Sequence, residues 1–170
     1  MTLIFVIILI ALLTTAIASL SLIVWVPTRK KDLDRIAAMA SLKNGENFID
    51  LGCGTGTVCC HVAKNSEANI FGIELALPFY AIAKIRQLFL NKRSLKIIWG
   101  NLFNISLGNF DVIYVFGIPD KLKDKAKPKL ERELKPGARV ISYVFAIEGW
   151  TPARVDKPTP DSASIYLYQR

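Results

Sequence analysis

The apolar residues of this chain fall into two regimes. From Leu3 to Val26 they run without a charged residue, proline or glycine, and only Thr14, Thr15, Ser19 and Ser21 interrupt them. At about 1.5 Å per residue this run reaches roughly 36 Å as a helix, enough to cross a bilayer core with some tilt. Beyond Pro27 the pattern breaks into short blocks. Leu33, Ile36, Ala37 and Ala40 repeat at helical spacing, predicting an amphipathic helix over Thr28–Leu42 that Asn44-Gly45 stops. Apolar runs predict strands over Asn47–Leu51, Asn69–Glu74, Leu95–Trp99, Asp111–Phe116 and Arg139–Phe145, with a last one over Ile165–Gln169. Helical patterns lie between them. Thr57–Ala63 is short. Pro78–Asn91 carries an apolar stripe through Phe79, Ile82, Ala83, Ile85, Arg86 and Phe89. Asp120–Leu134 is charged, and Pro128 is expected to kink or split it. Pro136-Gly137 is a turn, and Gly149–Ala163, with three prolines, is expected to be a loop. Strands without a polar face, alternating with helices, predict an α/β fold: a doubly wound, mostly parallel sheet covered on both sides.

The division of the chain follows. Residues 1–26 are expected to be a transmembrane anchor, 27–46 an amphipathic helix and lead-in, and 47–170 the main domain. A cleaved signal peptide is the alternative for the first segment, since Ala16-Ile17-Ala18 fits a cleavage pattern. No Lys or Arg precedes the run, however, and the run continues past that site. Arg29, Lys30 and Lys31 follow at once and predict a single-pass protein with its main domain on the cytoplasmic side. Trp25 stands where an interfacial aromatic belongs. The lack of an Arg-rich presequence favours a prokaryotic plasma membrane over an organelle. The whole net charge of +8 sits after residue 26. It suits an anionic lipid surface, a nucleic acid or an acidic partner, and charge alone does not choose among them. Cys53, Cys59 and Cys60 are too few and too badly spaced for a disulfide framework. Cys59-Cys60-His61 lacks metal-ligand spacing, so no metal is expected.

The chemistry concentrates in Phe48-Ile49-Asp50-Leu51-Gly52-Cys53-Gly54-Thr55-Gly56. Three alternating glycines after the first strand make either a cofactor cradle or a tight strand-to-helix turn, because glycine admits positive φ and close approach to the backbone. A dinucleotide fingerprint, G-x-G-x-x-G, needs a third glycine where Thr57 or Cys59 stands, and a P-loop needs G-K-[ST]; neither is present. Asp50 would repel a pyrophosphate and suits an ammonium group. Glu74, eighteen positions after Gly56, ends the second strand. A carboxylate there accepts the ribose hydroxyls of a nucleoside, or is simply an exposed charge at a strand end.

The pattern D-x-G-x-G-x-G resembles motif I of the seven-β-strand, Rossmann-like S-adenosylmethionine-dependent methyltransferases. That resemblance implies S-adenosyl-L-methionine as cofactor. It implies contacts to it from Asp50, Gly52, Cys53, Gly54, Gly56, Glu74, Leu75, Asn101 and Leu102, the last pair near the adenine. No Asn-Pro-Pro-Tyr motif follows the fourth strand, which counts against adenine or amide-nitrogen substrates. The segment from Tyr114 to Val155, with Val115-Phe116-Gly117-Ile118-Pro119 and Trp150-Thr151-Pro152, resembles membrane-anchored protein lysine methyltransferases. Those act on the ATP synthase c subunit or the adenine nucleotide translocase, and have prokaryotic relatives. Val26-Pro27-Thr28 matches their V-P-T element. Two positions depart from the pattern: Thr55 replaces a second acid of the glycine loop, and Asn101-Leu102 replaces an aspartate-leucine pair.

The resemblance implies transfer of a methyl group to a lysine of a membrane protein. An amine must lose its proton to react, and apolar walls lower its pKa. Phe116, Pro119, Phe145, Trp150 and Pro152 are the candidates to line the acceptor side. His61 lies in the helix after the loop, away from any general-base position. The alternatives are a methyltransferase for a lipid or membrane-soluble small molecule, and a non-catalytic binding module that keeps the fold. Nucleic acid is not the expected partner, since no aromatic and basic residues interleave in a patch. The oligomeric state is not legible.

Overall fold

A computed structural model of the chain describes residues 2–19 and 26–170. Its sheet has seven strands in the order β3-β2-β1-β4-β5-β7-β6. These are β1 (Asn47–Leu51), β2 (Asn69–Glu74), β3 (Leu95–Trp99), β4 (Val112–Val115), β5 (Arg139–Tyr143), β6 (Arg154–Asp156) and β7 (Ile165–Gln169). The first five are parallel, and β7 pairs antiparallel with both β5 and β6. The central strands are buried on both faces, which is why they read as unbroken apolar runs.

Side chains alternate across β1 and divide the core in two. Phe48 joins Ile36, Met39, Cys59, Val62, Tyr114 and Tyr143 on one face, under α2 (Leu33–Ala40) and α3 (Thr57–Lys64). Ile49 and Leu51 join Ile113, Val115, Leu122, Leu130 and Val140 on the other. Asp50 shares its register position with Gly72 on one neighbour and Tyr114 on the other.

Several expectations are corrected. The helix expected to span a membrane over Leu3–Val26 is described as α1 (Thr2–Ser19), eighteen residues long. Among the described residues no helix is long and apolar enough to cross a membrane, so the transmembrane helix is not supported. Residues 20–25, Trp25 included, lie outside the described residues. α1 rests on α4 (Leu77–Leu90), where Thr14 Oγ1 accepts the Leu77 amide at 3.1 Å. The apolar stripe of α4 does not face the core. Ala83 is its one buried residue, while Ile82, Ile85, Leu88 and Phe89 are exposed. The reason is steric: a Cβ on Gly56 would lie 3.1 Å from that of Ala83, so only a small residue fits where α4 meets the glycine loop.

Pro128 neither kinks nor splits its helix outright. Between α5 (Pro119–Lys121) and α6 (Lys127–Glu133) the chain takes a π-helical register over Leu122–Ala126. A proline cannot donate to the carbonyl four residues back, and the wider turn absorbs that missing bond. The expected loop over Gly149–Ala163 contains edge strand β6, bracketed by Pro152 and Pro158.

A polar network ties α2 to this edge. Arg35 Nη2 reaches Asp156 Oδ1 at 2.6 Å and its Nη1 reaches Asp32 Oδ1 at 2.7 Å. Tyr143 donates to Asp32 Oδ2 at 2.6 Å. Asp32 is buried and keeps Arg29 Nε at 2.9 Å as a second cationic partner, so losing Arg35 removes one of its two ion pairs and the Asp156 tie without stranding the charge. We expect Arg35→Met to destabilise the protein by about 1–2 kcal/mol, measured by urea unfolding.

Candidate active site

The strand order reverses between β1 and β4, and a cavity of ≈ 270 Å³ opens at their carboxyl ends. The glycine loop forms its floor. Gly52, Gly54 and Gly56 have φ of 85°, 53° and 74°, conformations that side chains rarely tolerate. Gly52 and Cys53 both donate their amides to Ile73 O at 3.0 Å, which stitches the loop to the end of β2. Glu74 completes the stitch: its Oε2 accepts the Gly54 amide at 2.8 Å and its Oε1 the Ala76 amide at 2.7 Å. Each carboxylate oxygen keeps a further lone pair, and the side chain lines the cavity. Glu74 is therefore a buried, held carboxylate and not an exposed strand-end charge.

Asp50 also lines the cavity and is almost fully buried. Burial pushes its pKa up to about 7; the Glu74 charge adds to the rise, and a hydrogen bond from Cys59 Sγ, at 3.6 Å, opposes it. Burial raises the Glu74 pKa too, against its backbone donors. The Cys59 thiol is held protonated by its hydrogen bond with Cys53 and by burial, so it remains a donor. Both thiols lie on Gly72, where a Cβ would come within 2.7 Å of Cys59 Sγ and 2.9 Å of Cys53 Sγ.

Of the residues expected to hold a cofactor, Asp50, Gly52, Cys53, Gly54, Glu74, Leu75 and Leu102 line the cavity. Gly56 lies behind it as the left-handed cap of α3. Asn101 does not line it; its Oδ1 accepts the Phe103 amide at 2.9 Å in a local turn. Of the acceptor-side candidates only Phe116 lines the cavity. Pro119 starts α5. Phe145 packs on the opposite core. Trp150 stacks edge-on against Tyr168 at 5.5 Å and donates to Glu131 Oε1 at 3.0 Å, and Pro152 is likewise away from the cavity wall.

Residues not singled out from the sequence complete the wall. Thr28 Oγ1 and Tyr114 Oη are hydrogen-bonded at 3.1 Å beside Phe116. Thr15, Ala18 and Phe79 bring α1 and α4 to the rim. Arg86 Nη1 clamps the loop from outside, donating to Thr55 O and Oγ1 at 3.1 Å and to Thr57 Oγ1 at 2.8 Å. In the sequence Arg86 stands only as part of the α4 stripe, and nothing local marks it as a clamp on the loop. The other contacts join positions distant in sequence and left no local signal.

The donor set fits a cationic nucleoside. Buried carboxylates suit ammonium and hydroxyl groups, and the bare loop admits close backbone approach. With the reversed strand order and the closing antiparallel strand, these features define a class I S-adenosylmethionine-dependent methyltransferase. The comparisons agree. An RNA methyltransferase from Salinibacter ruber, solved with S-adenosyl-L-homocysteine, superposes with a TM-score of 0.79 at 25% identity, covering 85% of this chain and 93% of that one. A protein-lysine N-methyltransferase of Saccharolobus islandicus is 33% identical over 149 residues, covering 85% of this chain and 91% of that protein. The human lysine N-methyltransferase of the ATP synthase c subunit is 28% identical over 144 residues, 84% of this chain but 60% of the human protein. The chain belongs to the ANTKMT methyltransferase domain family, whose model matches residues 50–154.

The Asp50 pKa has a sign that calorimetry reads. A cationic cofactor needs the carboxylate, so binding releases a proton wherever Asp50 is protonated in the free protein. Affinity should rise with pH through about 7 and level off above it, falling roughly tenfold per pH unit well below that point. Titrations in buffers of different ionisation heat should detect the proton, and Asp50→Asn should bind weakly at every pH with no proton released. For the free protein, a raised carboxylate pKa contributes stability fully present below about pH 4 and lost as pH rises through about 7. Bound cofactor should offset that loss in a thermal melt.

Proposed function

We propose that this chain is a protein-lysine N-methyltransferase working at a membrane surface, on a lysine of a membrane protein. The observation that carries this reading is the uncharged wall beside the glycine loop, made by Pro27, Thr28, Tyr114 and Phe116. Lysine is protonated at neutral pH and reacts only as the free amine. A wall with hydroxyls and rings but no cation or carboxylate lowers its pKa by desolvation. The activities of the Saccharolobus and human relatives support a lysine acceptor.

When bound, S-adenosylmethionine would supply a methyl on a sulfonium sulfur, transferred to a neutral amine with the C–S bond breaking as the C–N bond forms and S-adenosylhomocysteine leaving as the thioether. The protein's own contribution is placement. Asp50 would hold the ammonium of the cofactor, Glu74 would accept its ribose hydroxyls with its remaining lone pairs, and Leu75 and Leu102 would flank its base. Phe116 and the Thr28–Tyr114 hydroxyl pair hold the acceptor amine, one hydroxyl oxygen accepting its N–H. Such alignment contributes several kcal/mol to lowering the barrier. The membrane part rests on α1, whose apolar side chains are exposed and whose Thr15 and Ala18 reach the cavity, and on the exposed Arg29, Lys30 and Lys31 that follow. We place the domain on the cytoplasmic side of a prokaryotic plasma membrane.

The test is transfer of labelled methyl groups into a membrane fraction by the full chain. Label should resist organic extraction, be lost with protease, and map to lysine by mass spectrometry. Label that follows lipid, or nuclease-sensitive material, overturns the lysine acceptor. Phe116→Leu should lower turnover on the order of 10²-fold while leaving cofactor affinity unchanged by calorimetry. Equal loss of both would remove Phe116 from the acceptor side.

A further inference from the structure

Helix α4 is built against the usual rule. Its buried residue is Ala83, while Ile82, Ile85, Leu88 and Phe89 are exposed, Phe89 by 87%. Residues 82, 85 and 89 stand in one stripe along the outer face. This face runs on into two neighbours. At one end α1 packs on it through Thr14 and Leu77, and α1 is apolar on every side, with exposed residues from Leu3 at 72% to Ile10 at 42%. Beside it, edge strand β3 ends in the exposed Trp99, whose indole Nε1 donates to Leu75 O at 3.0 Å.

Charge identifies what covers this face. Between Leu75 and Phe110 there are five cations, Lys84, Arg86, Lys92, Arg93 and Lys96, and no Asp or Glu. All of the chain's carboxylates lie outside the segment. Arg86 and Arg93 are exposed beside the apolar stripe. A protein groove covers one side of a helix, whereas acyl chains surround one that is apolar all round. Glu67 pairs with Lys92 at 3.3 Å at one end of the helix, and the other charges beside the strip are cations; an apolar strip with an excess of cations and an indole at its margin matches an anionic lipid interface.

We propose that α4, α1 and the end of β3 form one face that rests on an anionic bilayer, so that the rim of the cofactor cavity, marked by Thr15 and Phe79, opens at the lipid surface. This deepens the membrane part of the function proposed above and does not depend on the acceptor. A lysine at the membrane boundary of another protein would then reach Phe116 without leaving the interface.

The experiment places a nitroxide on the full chain through Phe89→Cys, in a Cys60→Ser background, with Lys157→Cys beyond β6 at the far sheet edge as control. Accessibility to oxygen and to a water-soluble nickel chelate is read by electron paramagnetic resonance. With vesicles rich in phosphatidylserine, the label at 89 should gain oxygen and lose chelate accessibility several-fold, and the label at 157 should stay in water. Phosphatidylcholine vesicles should give a much smaller change. A label at 89 that stays wet on vesicles carrying the protein overturns the proposal, whatever α1 does. Equal shielding by neutral vesicles overturns the role of the cations. Shielding without vesicles marks a second copy on this face and overturns the bilayer assignment. Calorimetry with S-adenosylmethionine on the same labelled protein reports the enzymatic reading separately: cofactor binding with a wet label sinks only the docking face.

Discussion

The two amide hydrogen bonds accepted by Glu74 are the constraint on which the site depends. One comes from Gly54 in the loop after β1, the other from Ala76 at the entry to α4. Burial raises the Glu74 pKa, the backbone donors oppose that rise, and the two bonds fix the direction of the carboxylate. They also tie two chain segments to one side chain. The loop is then stitched to Ile73 from below, pressed by Ala83 at Gly56, and gripped by Arg86 from outside. Cofactor recognition and the position of α4 are one arrangement.

How much of this was legible depended on whether the cause was local. The five parallel strands were, because burial on both faces leaves apolar runs. So was the bend at Gly52, Gly54 and Gly56, because positive φ there leaves little choice of residue, and Asp50 and Glu74 line the cavity beside it. The assignments that failed depended on distant partners. Trp150 and Phe145 look like pocket aromatics in a row of letters, but Tyr168 and the opposite core claim them. Asn101 is spent on its own turn. The strand β6 exists because β7 offers an edge, and its own prolines read as loop. The stripe on α4 was seen at the correct spacing and assigned to the wrong side, since periodicity gives a face but not its direction.

The acceptor side shows the same contrast. Thr28 and Tyr114 are unremarkable in sequence, 86 residues apart, and become a pair only when the segment after α1 crosses the end of β4. Tyr114 is next to Asp50 in the sheet register, so the residue facing the cofactor and the residue facing the acceptor share one rung of the ladder. A shift of either strand would displace both. That coupling keeps the two sides of the cavity in register.

The strand order has a consequence for how the molecule is made. β7 lies between β5 and β6 yet follows both in sequence, so the sheet stays open until residue 169 has been synthesised. α1 leaves the ribosome before the strands. An apolar helix with no completed domain beside it has time to meet lipid, or a chaperone, before any cofactor cavity exists. Delivery of the nascent chain can thus precede its competence to react.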